Sequence, residues 1–222
     1  MGSKNKLAHF ADNATYKNMF QPSYHDLQAG YEMKGKWDSS FFENGNPITL
    51  EVGCGKGEYT VGLGEKYPER NFIGMDIKGA RMWRGCTDSI NKGMTNVAFI
   101  RNHVQMVPMI FGENEIDELW ITFPDPQPKK VNKRLTSPRF MDYYRKILKP
   151  GAIINFKTDN EPLFDYTLEM IEEQGHELIL SVKDLYNIDG FEEVKSIKTF
   201  YEQKFSALGF AINYLQFRLK DK

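Results

Sequence analysis

The chain has 222 residues, 41% of them hydrophobic and 27% charged, with a formal net charge of −1. That length suits one well-cored domain and is short for two. Near-neutrality requires any polyanion-binding surface to be a local patch rather than a global field. Two cysteines outside any CxxC and four histidines outside any HExxH give no basis for a disulfide framework, a zinc cluster or another metal site. No apolar run approaches the roughly 18 residues of a membrane span. The opening MGSKNKLAHF lacks the apolar centre of a signal peptide. The expectation is a soluble, cytoplasmic protein.

Residues 1–46 are polar and irregular, with dispersed aromatics such as Phe10, Phe20, Tyr31 and Trp37. They read as a partly flexible extension that packs on the domain or on a partner. Residues 47–222 form the domain. Buried-strand patterns follow at 48–53, 71–77, 96–100, 116–122 and 151–158. Helices are expected at 58–67, weakened by Gly62 and Gly64, and at 137–148, opened by Ser137 and Pro138. A third runs over 161–175 and ends at a glycine. This alternation predicts an α/β fold, a doubly wound Rossmann-like sheet with helices on both faces.

The stretch LEVGCGKGEY places Gly53, Gly55 and Gly57 just past the first of these strands, where a ligand can approach the backbone. Glu58 stands where a dinucleotide fingerprint wants its third glycine, and no Ser or Thr follows Lys56 as a P-loop requires. The pattern that fits is E-x-G-x-G-x-G, with Glu51 on the strand and Asp76 at the end of the next, placed to accept ribose hydroxyls. Carboxylates near the loop without a phosphate cradle suit a ligand with an amino group and a sulfonium cation, and S-adenosylmethionine is one. Asn102 and His103 end the third strand, so either is a candidate contact for an adenine.

In FPDPQPKK, prolines 124, 126 and 128 restrict the backbone and hold Asp125 in one place beside the crevice of the sheet. From Lys129 to Lys149 eight basic residues face one acid, Asp142, a concentration that favours phosphate contacts. Lys130, Lys133, Arg134 and Arg139 are the candidates for RNA phosphates.

LEVGCGKGE, FPDPQPKKVNKRLTSPRF, FKTDNEPLFDY and TFYEQKF, in this order and spacing, resemble the bacterial tRNA (guanine-N7-)-methyltransferase family over about residues 48–218. The resemblance implies class I methyl transfer from S-adenosylmethionine to N7 of a tRNA guanine at position 46, in the variable loop. By matching motif positions it makes Asp125 the catalytic aspartate and a cofactor contact. It assigns Glu51, Gly53, Gly55, Gly57, Asp76 and the Asn102–His103 exit to the cofactor. It assigns Lys129, Asp159, Thr199, Phe200, Tyr201 and Glu202 to the substrate guanosine. The chain departs from the pattern at Asp76, where many members carry Glu, at Asn102–His103, where Asp is usual, and at Gln127, where Trp is frequent. Neither a metal nor a membrane is implied, and a monomer and a homodimer are equally compatible.

Overall fold

The computed structural model describes residues 3–220. The chain enters through α1 (Ser3–Asn13), a two-residue strand β1 (Met19–Phe20) and α2 (Tyr24–Gly30). Five strands follow: β2 (Ile48–Val52), β3 (Asn71–Asp76), β4 (Val97–Arg101), β5 (Ile116–Thr122) and β6 (Leu148–Thr158). Helices α3 (Glu58–Lys66), α4 (Gly79–Asn91), α5 (Val107–Ile110) and α6 (Pro138–Tyr144) connect them. The chain then continues through α7 (Glu161–Glu173), β7 (Glu177–Val182), α8 (Glu192–Ser196), α9 (Phe200–Ala207) and β8 (Asn213–Arg218).

The strands form one sheet in the order β1-β4-β3-β2-β5-β6-β8-β7. The six on the β1 to β6 side are parallel, and β8 then pairs antiparallel with both β6 and β7. Strand residues alternate between two apolar clusters, one on each face. Leu50, Val52, Ile73 and Met75 pack with α5, α6 and α7, whereas Phe72, Val97, Phe99 and Trp120 pack with α3 and α4. This is the doubly wound α/β arrangement with both faces covered. Strand order reverses between β2 and β5, so a crevice opens beyond their carboxyl ends.

Residues 3–46 pack on the domain. Trp37 is wholly buried, donates from Nε1 to the Ile110 carbonyl at 3.2 Å, and meets Phe20 edge-on at 4.8 Å. Burying a side chain of this size contributes roughly 3 kcal/mol. Further back, His9 stacks on Trp83 at 4.0 Å, and Asn13 donates to the Gly79 carbonyl at 2.8 Å, which ties α1 to α4. Residues 1–2 and 221–222, the outer ends of the two expected spans, lie outside the described residues.

Two corrections to the expected elements have physical causes. The helix expected to reach 148 ends at Tyr144. Ile147 and Leu148, apolar at helical spacing from Tyr144, instead meet Ile116 as β5 and β6 begin to pair. Helix α4 carried no expectation, because Gly79 and Gly85 break its pattern; Gly85 is required there by the close approach of the Phe99 ring and the Lys56 carbonyl.

Candidate active site

The carboxyl ends of the parallel strands open on a cleft of about 1150 Å³. The turn after β2 forms one wall. Gly53 and Gly55 line it, and a Cβ at Gly55 would meet nothing within 4 Å, so that backbone faces open space. Gly57 lies behind the turn at the start of α3 with φ 75°, and any Cβ there would collide with the Phe99 ring. Asp76 is held against this wall: Gly55 N–H donates to Oδ2 at 3.0 Å and Lys78 N–H donates to Oδ1 at 2.8 Å.

Glu51 sits beneath the turn rather than in the cleft lining. Thr122 Oγ1 donates to its Oε1 at 2.5 Å, and Thr60 Oγ1 donates to Oε2, so the carboxyl joins β2 to β5 and α3. Burial pushes its pKa up to about 7, with the two threonine hydrogen bonds acting in the opposite direction. At the strand exit the two candidates separate. His103 borders the cleft, whereas Asn102 turns its amide to the Pro22 carbonyl at 2.9 Å.

The Pro-Asp-Pro corner forms the other wall. Phe123 and Gln127, which bracket it, have φ of 47° and 44°. Such backbone costs on the order of 1–3 kcal/mol per residue and persists only where its surroundings enforce it. Here Phe123 N–H donates to the Lys157 carbonyl at 2.8 Å, and Arg134 Nε donates to the Pro126 carbonyl at 3.1 Å. Gln127 N–H donates to Asp125 Oδ1 at 3.1 Å, so the residue that departs from the family pattern orients the carboxylate through its backbone. Asp125 is exposed in the cleft and Asp159 is half-buried across from it, its pKa raised by burial.

The basic run is divided. Lys133 and Arg139 line the cleft, together with Lys56, Lys78 and Arg81 from the opposite wall. Lys129 and Lys130 are exposed but outside the lining, and Arg134 is committed to Pro126 and to the Tyr166 ring, 4.2 Å away. Arg145, Lys146 and Lys149 surround a separate cavity of about 510 Å³ at the opposite end of the sheet, with Lys34 and Lys220.

Thr199, Phe200 and Tyr201 reach the cleft from the start of α9. Glu202 does not. It is fully buried, pairs with Lys157 Nζ at 2.6 Å, accepts from Tyr186 Oη at 2.6 Å, and closes a capping box with Thr199. Burial lowers the Lys157 pKa, with Glu202 opposing the shift. The pair ties β6 to α9, and Glu58 adds a second tie by accepting from Phe200 N–H at 2.9 Å. Sequence reasoning missed Lys157, Lys56, Lys78 and Arg81. Only Lys157, a lone charge inside the apolar run IINFKT, left a signal.

A family model described as "Putative methyltransferase" matches residues 45–215. The tRNA (guanine-N(7)-)-methyltransferase of Bacteroides fragilis is 50% identical over 97% of this chain and 86% of its own length. That of Christiangramia forsetii is 46% identical over 99% of this chain and 100% of its own. This chain belongs to the tRNA (guanine-N7-)-methyltransferase family. Among solved structures, the 16S rRNA methyltransferase KamB superposes with a TM-score of 0.65 at 16% identity, covering 82% of this chain and 92% of that one. A 16S rRNA (adenine(1408)-N(1))-methyltransferase variant from Catenulisporales acidiphilia, solved with cosubstrate SAM, covers 82% of this chain and 90% of its own, with a TM-score of 0.57 at 15% identity. Both share the fold.

The cofactor of this family member is S-adenosylmethionine, and the glycine-loop wall fits it. The backbone at Gly55 is bare, Asp76 offers a fixed carboxylate of the kind that accepts ribose hydroxyls, and the cleft lining carries further carboxylates, which suit a cationic ligand. Among the described residues no three His, Cys, Asp or Glu side chains are grouped to hold a metal ion, and no helix is long and apolar enough to cross a membrane.

Proposed function

We propose that the methyltransferase reaction of this chain is directed to guanine 46 in the variable loop of tRNA and runs in the cytoplasm, with Asp125 as the catalytic carboxylate. Methylation of a tRNA guanine at N7 is the activity of its family. The single observation behind the residue assignment is the meeting, in one cleft, of Asp125 and Asp159 with a rim of Lys and Arg side chains.

S-adenosylmethionine, when bound, supplies a methyl group on a cationic sulfur. Guanine N7 carries a lone pair and no proton, so the protein needs no strong base. Its task is to align the nucleophile and to tolerate positive charge that moves onto the purine. Asp76 holds the ribose end. Asp125, fixed by its own turn, faces the reacting centre. Asp159 accepts hydrogen bonds from the N1–H and N2–H₂ edge of guanine, which gives base selectivity. Lys133, Arg139 and Arg81 contact phosphates around the cleft while the base is drawn out of its stack, a step that costs a few kcal/mol.

The test is incubation of the protein with unmodified tRNA transcripts and labelled cofactor, followed by nucleoside analysis and mapping of 7-methylguanosine. The reading expects one modified guanine, lost when guanine 46 is replaced by adenine. Undiminished labelling of the replaced transcript contradicts the position.

A further inference from the structure

We propose that Phe123, Tyr201, Phe205 and Phe210 form a stacking track that receives unpaired RNA bases next to the methylated guanine. The proposal rests on the tRNA-methylating function above and extends it beyond the cleft.

The rings form a continuous series leading out of the site. Phe123 lies 6.3 Å from Tyr201, Tyr201 lies 4.4 Å from Phe205, and Phe205 lies 5.5 Å from Phe210. The outer members are not core: Tyr201 is 50% exposed and Phe210 52%. An apolar surface of this kind, left open beside a binding cleft, marks an interaction site rather than a folding element. Its inner end is already in the cleft, since Phe123 and Tyr201 line it.

Charge selects the occupant. Lysines flank the rings: Lys204 Nζ lies 5.8 Å from the Phe205 centroid, and Lys56 Nζ lies 4.1 Å from that of Phe200, the residue next to Tyr201. The centre of a protein–protein interface is typically depleted of lysine. Single-stranded nucleic acid is held by this combination of cations for the backbone and rings for the bases. The chemistry also calls for such a surface. A guanine drawn out of its stack leaves neighbouring bases with bare faces, and rings placed beside the cleft restore the lost stacking. The track is held at a set angle, because α9 is fixed to the sheet by the buried Lys157–Glu202 pair and to α3 by Glu58.

Phe210 lies outside the cleft lining and tests the track without touching the catalytic groups. In the full-length protein, Phe210→Ala is expected to weaken affinity for unmodified tRNA and raise its KM about tenfold, with kcat unchanged. The slope of log affinity against log salt should not change, because a lost base contact releases no counterions. Phe210→Trp and Phe210→Tyr should restore affinity, while Phe210→Leu, which keeps bulk without a ring, should not. This set decides the matter even where the alanine variant folds poorly. Wild-type affinity in Phe210→Leu, or a salt slope shallower by about one, overturns the track. So does a shift in oligomeric state by light scattering with tRNA affinity intact, which would make the patch a contact between two copies. Failure of the wild-type protein to form 7-methylguanosine overturns the function itself, whereas an active enzyme whose tRNA affinity ignores Phe210 overturns only the track.

Discussion

The glycine-loop wall of the cleft rests on backbone hydrogen bonds and close packing, whereas the Pro-Asp-Pro and α9 wall rests on buried charge and strained backbone. On the first wall, Asp76 is held by two N–H donors and Gly57 packs against Phe99 with no room for a side chain. On the second, two non-glycine residues have positive φ and a fully buried ion pair holds α9, whose first residues line the cleft. The first wall is therefore set by local backbone structure. The second depends on ties between residues far apart in the chain.

This contrast can be probed at four positions. The largest effect is expected at Lys157. Changing it to Met leaves the Glu202 carboxylate buried without its partner and should cost about 3–5 kcal/mol in denaturant unfolding. The double variant Lys157→Met with Glu202→Leu should recover most of that loss. A double variant as unstable as the single one would show that the charges are not coupled.

Next comes Glu51, whose folded pKa of about 7 exceeds its ordinary value of 4.5. The folded state keeps a proton that the unfolded chain releases between those values. The stability it contributes is complete below about pH 4.5 and is lost as pH rises through 7, a total of about 3 kcal/mol. Unfolding curves across this range should show the decline, and Glu51→Gln should flatten it. An unchanged profile in the variant would assign the pH dependence to other groups.

Gly57→Ala should lower stability by about 2 kcal/mol, through positive φ and the clash with Phe99, and should weaken S-adenosylmethionine binding measured by calorimetry. Arg134→Gln should have the smallest effect. It frees the Pro126 carbonyl and should cost about 1 kcal/mol while lowering kcat more than cofactor affinity. An equal loss in both would show that the corner supports the whole cleft rather than its catalytic side alone.

How far the sequence revealed this arrangement differs by element. β3 and β4 were legible because strands buried on both faces read as near-continuous apolar runs, and the E-x-G-x-G-x-G turn with Asp76 follows from local order along the chain. Helix α4 was hidden by glycines whose reasons lie elsewhere in the chain, the Arg101 side chain against Gly79 and the Phe99 ring and Lys56 carbonyl against Gly85. The roles of Glu51 and Glu202 were hidden for a related cause. Their motif positions are evident in LEVGCG and TFYE, but their partners Thr122 and Lys157 lie on other strands, and local spacing does not show which distant residue a side chain will meet. Gln127 shows the reverse case: its side chain departs from the family pattern, yet the contact to Asp125 comes from its backbone N–H, which any residue but proline supplies.

The central claim is that Asp125, held by its own turn, serves the methyl transfer rather than the fold or the hold on tRNA. Single-turnover methylation of unmodified tRNA by Asp125→Ala, at saturating S-adenosylmethionine, tests it most directly. The rate should fall by roughly 100-fold or more, with tRNA affinity and melting temperature close to wild type. A rate within about threefold of wild type would contradict it.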